Sequence, residues 1–128
     1  MENFNKQNVE NLKTFLFSSY VHDSKIEFVL YSRNSMTLKI KNEHYKVEYV
    51  FVFSTMEGAF FQKGNEDRCV DTIYSLTVED NFAPLFTVLP MATKTKDGLL
   101  YVLVEMLSGN QLHIIFNDVR ISTILSSK

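Results

Sequence analysis

One cysteine, two prolines, four glycines and no tryptophan leave this chain of 128 residues with little of the material from which recognisable catalytic motifs are built. The single thiol, Cys69, excludes an intramolecular disulfide framework and points to a reducing compartment. There is no Gly-rich phosphate loop, no G-x-S-x-G elbow and no dinucleotide fingerprint. No H-x-H, H-x-x-x-H or C-x-x-C spacing occurs either, which removes the common zinc frameworks, and no cofactor is implied. No apolar run nears the ~18 residues that a bilayer-crossing helix needs. The opening Met1-Glu-Asn-Phe-Asn-Lys-Gln-Asn8 shows no basic segment followed by an apolar one, so the expectation is a cytoplasmic protein with no membrane partner. Excess positive charge is missing too. A formal net charge of -2 argues against a nucleic-acid binder that works by phosphate neutralisation.

What is present is apolar surface. With 45% hydrophobic residues, including 11 Phe and 6 Tyr, the chain can bury one sizeable core, and 1–128 reads as a single domain. Charge is unevenly placed: residues 1–64 carry 8 Lys and Arg against 7 Asp and Glu, whereas 65–128 carry 5 against 8. Glu66, Asp67, Asp71, Glu79 and Asp80 crowd into one stretch opposed only by Arg68.

Periodicity divides the chain. Val9, Leu12, Phe15 and Leu16 fall on one face of a helix over about 8–17. From Lys25 the period becomes two. Ile26, Phe28 and Leu30 alternate with Lys25, Glu27 and Val29. After a turn at Ser32–Ser35, Met36, Leu38 and Ile40 alternate with Thr37, Lys39 and Lys41, as in a hairpin with one wet face. Tyr45, Val47, Tyr49, Phe51 and Phe53 line one face of a third strand, completing a meander over about 25–53. Residues 56–61 suit a short strand bent at Gly58, 62–69 a polar loop, and Thr72–Asp80 a further strand on which Tyr74, Leu76 and Val78 share a face. Pro84 and Pro90, within 81–96, make Phe82–Met91 an irregular covering segment, so 56–97 is the poorly patterned, acidic middle. Residues 98–107 are almost wholly apolar on both faces, as a covered central strand is; Ser108-Gly-Asn110 turns the chain into a return strand to about 117 with Leu112, Ile114 and Phe116 inward. Val119, Ile121 and Ile124 suit one more edge strand. The fold class expected is mainly β: one N-terminal helix, then an antiparallel meander of about six or seven strands curled into a sandwich or half-barrel.

Candidate chemistry is sparse. His22-Asp23 pairs an imidazole with a carboxylate at the entry to the first strand of the meander, a combination that serves as a general base or metal ligand. Sequence neighbours on an extended chain point apart, however, and Asp is a common turn residue. His44 and His113 stand in separate hairpins, too scattered to complete a metal site. Cys69 has Arg68 beside it but Asp67 and Asp71 opposing, which suits an inert thiol better than a nucleophile. The aromatics Tyr45, Tyr49, Phe51 and Phe53 could stack bases, but on one strand face without a basic groove they suit a core.

The segments Tyr20-Val-His-Asp-Ser-Lys-Ile26 and Leu112-His-Ile-Ile-Phe-Asn-Asp-Val119 resemble a loose group of small bacterial proteins. These have a His-Asp step before a β-meander and a closing apolar strand ending in an F-x-D-V-like turn. Some members are immunity proteins of bacterial toxin systems. The resemblance covers the two ends of the chain and implies an antiparallel β fold with a non-enzymatic binding role. Three functional expectations follow. The first is a protein-binding domain that neutralises a basic toxin through Glu66, Asp67, Asp71, Glu79 and Asp80. The second is a small-ligand binder or enzyme with a cleft near His22, Asp23 and His113. The third is a structural subunit that pairs through an exposed edge strand.

Overall fold

The computed structural model describes residues 2–65, 68, 71–79 and 99–125. In chain order these form β1 (Glu2–Phe4), a 3-10 turn (Lys6–Asn8), α1 (Val9–Ser18), β2 (Lys25–Ser32), β3 (Ser35–Asn42), β4 (Val47–Ser54), β5 (Gly58–Gln62), β6 (Ile73–Glu79), β7 (Leu100–Met106), β8 (Gln111–Phe116) and β9 (Asp118–Leu125). The mainly β class with an N-terminal helix holds. The strands make two antiparallel sheets, ordered β1-β9-β4-β3-β2 and β5-β8-β7-β6, and neither closes into a barrel.

Among the described residues there are nine strands where six or seven were expected. β1 was not foreseen, because three residues cannot display a period. β9 is not an edge strand: the chain leaves β8 at Phe116, crosses to the other sheet, and inserts between β1 and β4 with Phe51 opposite Ile121 and Phe53 opposite Val119. The cross-sheet step makes the topology more than a meander, although β2, β3 and β4 follow one another as expected. Tyr45 falls in the turn before β4 and is exposed, while Val47, Tyr49, Phe51 and Phe53 are buried.

The core lies between the sheets. Met36, Leu38 and Ile40 of β3 and Phe51 and Phe53 of β4 meet Val102, Val104, Ile114 and Phe116 from the facing sheet, all essentially inaccessible. Phe53 and Phe116 meet edge to face at 4.9 Å between ring centres, an arrangement the ring quadrupole favours. Each such side chain contributes about 1.5–3 kcal/mol by leaving water. β7 has buried residues on both faces, as its almost wholly apolar run predicts, so even Tyr101 is inaccessible, while Leu103 and Glu105 are half-buried.

The β7–β8 turn is fixed by Gly109, whose φ of +88 suits a residue without Cβ. The loop after β5 lies on that turn. A Cβ at Gly64 would come within 2.3 Å of the Gly109 carbonyl carbon, and the Gly64 N–H donates to Asn110 Oδ1 at 2.6 Å.

Two flanks remain where the edges of the sheets face each other. On one, α1 lies against both β1 and β6, the edge strands of the two sheets. A capping box starts this segment: Asn5 Oδ1 accepts from the Gln7 N–H and Asn8 Oδ1 from the Asn5 N–H. Leu12 is 1% exposed, and Phe15 packs between Phe4 and Tyr49 at 5.9 and 6.0 Å. On the other flank stand β2 and β5, with no helix between them among the described residues.

Candidate functional site

The open flank departs most from the sequence expectation. Strict alternation puts Ile26, Phe28 and Leu30 inward, but a β-bulge lies between Ile26 and Phe28. One extra residue reverses every later side chain. Beyond the bulge Val29 opposes the buried Leu38 and Tyr31 the buried Met36, so Val29 and Tyr31 face the interior, while Phe28 and Leu30 oppose Lys39 and Thr37 on the solvent face. Facing inward does not bury them, because the second sheet does not reach across. Phe28, Val29, Leu30 and Tyr31 are all exposed, Leu30 and Tyr31 at 61% each.

Between the two edges opens an apolar cleft of about 430 Å³. Ile26, Val29 and Tyr31 of β2 form one wall and Ala59 and Phe61 of β5 the other; Met36, Met106 and Leu112 also line it, with Asp71 as the one charged residue among the described residues. Phe61 opposes the buried Leu112 across the β5–β8 ladder, which aims it inward, yet it stays more than half exposed. The backbone edge of β2 is used only at its start. Lys25 bridges Thr72 in antiparallel fashion, and the Ile26 N–H donates to the Asp71 carbonyl at 2.9 Å. Further along, no described strand pairs with it. The clue in the sequence is the run Phe28-Val-Leu-Tyr31, apolar on both faces in a strand that, among the described residues, has a neighbour strand on one side only.

His22 and Asp23 lie elsewhere. Asp23 adopts φ 67, in the left-handed region that Asp tolerates, and this turns its carboxylate back onto His22, giving Nδ1···Oδ2 3.1 Å. The expectation that neighbours point apart fails because this step is a turn rather than a strand. Both side chains are exposed and share a polar basin of about 470 Å³ with Lys25, Lys41, Glu43, His44 and Tyr45. Asn42 holds the basin's floor: its amide donates to the Tyr20 carbonyl and its Oδ1 accepts from the Tyr45 N–H. Sequence spacing assigned His44 to a separate hairpin; the fold returns it to the same basin as His22. Among the described residues no three His, Cys, Asp or Glu side chains come together as a metal site.

His113 does not join them. It sits on the outer face of the β5-β8-β7-β6 sheet, 2% exposed, with its ring parallel to Tyr101 and beside Phe60. Burial, then the charges of Glu105 and Glu79, pushes the Tyr101 hydroxyl up to about 12, so it keeps its proton. It donates to His113 Nδ1 at 2.5 Å, leaving Nε2–H to donate to Gln111 Oε1 at 3.2 Å. Burial also lowers the His113 pKa, against a smaller opposing pull from Glu105. A neutral imidazole with both nitrogens satisfied holds strands together and has no spare group to offer a substrate.

Of the acidic stretch, Glu66, Asp67 and Asp80, like Cys69 and residues 81–96, lie outside the described residues. Asp71 lies in the turn before β6 and Glu79 ends that strand, eight positions later in the chain, a span of at most roughly 26 Å. Asp71 lines the open cleft, whereas Glu79 lies in a groove between β6 and α1 with Lys13, Leu16 and Phe17. On the solvent face of the larger sheet, Lys39 bridges Glu48 at 2.9 Å and Glu27 at 3.3 Å. Those bonds raise the Lys39 pKa, and the Lys39 bond lowers that of Glu48.

No protein-family model matches this chain, and no curated protein is significantly similar to it. Among the described residues no helix is long and apolar enough to cross a membrane.

Proposed function

We propose that the domain is a non-catalytic protein-binding module that takes an extended, apolar segment of its partner along β2, with alternate side chains entering the cleft beside Phe61. One observation carries this reading: four consecutive apolar residues, Phe28 to Tyr31, are exposed on an edge with no strand partner among the described residues, next to an open apolar cleft. Edge strands normally carry a guard, such as an inward charge, a proline or a covering loop, because an unguarded edge templates pairing. Between Glu27 and Arg33 this strand has no charge and no proline. Strand addition supplies main-chain hydrogen bonds for affinity and side-chain pockets for specificity.

Neutralisation of a bacterial toxin is the particular role favoured by the resemblance of the two chain ends. Asp71 at the cleft rim and the acidic composition of 66–80 favour a partner with basic residues flanking its apolar segment. The test is affinity for any toxin domain that is encoded beside this protein. Val29→Lys with Leu30→Lys should weaken binding at least ~100-fold, as loss of a central apolar anchor does, with the thermal midpoint unchanged. Undiminished affinity in that folded variant overturns the reading.

A further inference from the structure

We infer that the polar basin around His22 and His44 binds a small phosphate-bearing ligand, whose anionic group bridges the ammonium groups of Lys25 and Lys41. The site lies apart from the apolar cleft and does not depend on strand addition there.

The register of the larger sheet sets Lys25 directly opposite Lys41 across β2 and β3, and both lysines line the basin. Residues so placed stand about 5 Å apart at Cβ, and like charges there repel, so the pair is unfavourable unless an anion lies between them. The neighbouring lysine shows the usual remedy. Lys39, two residues earlier on the same face of β3, is bonded to both Glu27 and Glu48. Glu48 stands opposite Lys41 in the ladder, yet its carboxylate lies 2.9 Å from Lys39. Among the described residues neither Lys25 nor Lys41 has an ion pair. The fold therefore neutralises one lysine of this face twice and leaves two others facing each other. The main chain at Lys25 is fixed from both sides, by Lys41 and by the bridge to Thr72, and Lys41 is half-buried.

Two adjacent ammonium groups call for more negative charge than one carboxylate carries, and a phosphate monoester supplies about −1.5 to −2 at neutral pH together with several acceptor oxygens. His44 and Tyr45 add neutral donors to the basin. Asp23 is turned onto His22 at 3.1 Å, so Glu43 is the one carboxylate there with no bonded partner among the described residues. A volume of about 470 Å³ is that of a small-molecule site.

Proton NMR on the whole chain tests this by following the histidine ring protons as inorganic phosphate is added, with pH fixed and ionic strength held constant with chloride. The His22 and His44 signals should shift and saturate in the millimolar range, while those of His113, buried on the other sheet, stay in place. Lys25→Gln and Lys41→Gln should each weaken binding roughly tenfold, the loss of one charge-assisted bond. Their thermal midpoints should hold or rise, because repulsion across the ladder is relieved. Lys46→Gln, exposed in the same turn but outside the basin, should leave the affinity unchanged. Shifts that do not saturate, or an equal loss in Lys46→Gln, would mean that phosphate only gathers around surface charge, and the inference is overturned. Adenosine monophosphate then defines the ligand. Affinity equal to that of phosphate assigns the site to the phosphate group alone, whereas tighter binding that Tyr45→Ala abolishes extends it to a nucleotide.

Discussion

The two flanks of the sandwich pose the same physical problem and solve it differently. At β1 and β6 an amphipathic helix fills the gap between the sheets, its apolar side chains inserted between Phe4, Tyr49 and β6. At β2 and β5 the walls are equally apolar, but none of the described elements fills the space, and a cleft of about 430 Å³ remains. A chain that carries one such plug can solve the problem by folding alone. Among the described residues the second gap stays lined with Val29, Tyr31 and Phe61. On the proposed reading, apolar area on the first flank serves stability and on the second recognition.

The largest expected effect breaks this comparison directly. Leu12→Ala empties a fully buried site under the helix and should cost about 2–5 kcal/mol, the range for deleting a buried leucine side chain. Leu30→Ala removes the same atoms from the open flank, where they face solvent in the monomer, and should change monomer stability by less than about 0.5 kcal/mol. Urea midpoints measured at submicromolar protein check both. If Leu30→Ala costs as much as Leu12→Ala, the second flank is part of the core and the contrast is gone.

A smaller effect concerns the support behind the open flank. His113 lies on β8, directly opposite Phe60 of the edge strand β5, with its ring beside Phe60, and its bond to Tyr101 ties β8 to β7. Tyr101→Phe leaves Nδ1 buried without its donor and should cost about 1–3 kcal/mol. The pH dependence has a definite sign. Burial lowers the imidazole pKa below 6.5 in the folded chain, so as pH falls the unfolded chain takes up the proton first. The contribution is whole above about 6.5 and is lost as pH falls through the window between that and the lower folded value. His113→Gln should flatten the change in urea midpoint between about pH 7.5 and about pH 5.5. An unchanged slope would show that other groups set it.

Much of the fold was legible because it rests on local periodicity. The helix, the β2–β3–β4 run, the covered strand β7 and the turn at Gly109 all follow from spacing, from two apolar faces or from a residue suited to positive φ. The site was less legible, for three separate reasons. A bulge at Glu27 inverts the later part of β2, and hydrophobicity does not mark it, since Phe28-Val-Leu-Tyr31 reads the same in either phase. The place of β9 depends on a crossing between sheets, a long-range decision that no short window contains. His22, Asp23 and His113 share a residue type and not a location: the left-handed turn at Asp23 joins the first two, and strand β8 carries the third to another face.

The smallest expected effect sharpens the account of the open flank without touching the fold. Asp71 is exposed, and it is its backbone carbonyl that holds the Ile26 N–H, so Asp71→Asn keeps that bond and should shift stability by less than about 0.5 kcal/mol. Asp71 is the one charged residue on the cleft among the described residues, where an incoming basic residue would meet it. Removing a rim charge mainly slows encounter, so the association rate with a basic partner should fall a few-fold at low ionic strength and converge with the parent's as salt shortens the Debye length to about 3 Å near 1 M. Stopped-flow association across a salt series measures both limits. A loss that persists at high salt would mean that Asp71 makes a direct, desolvated contact, and the basic flank of the partner would then have to lie inside the cleft rather than at its rim.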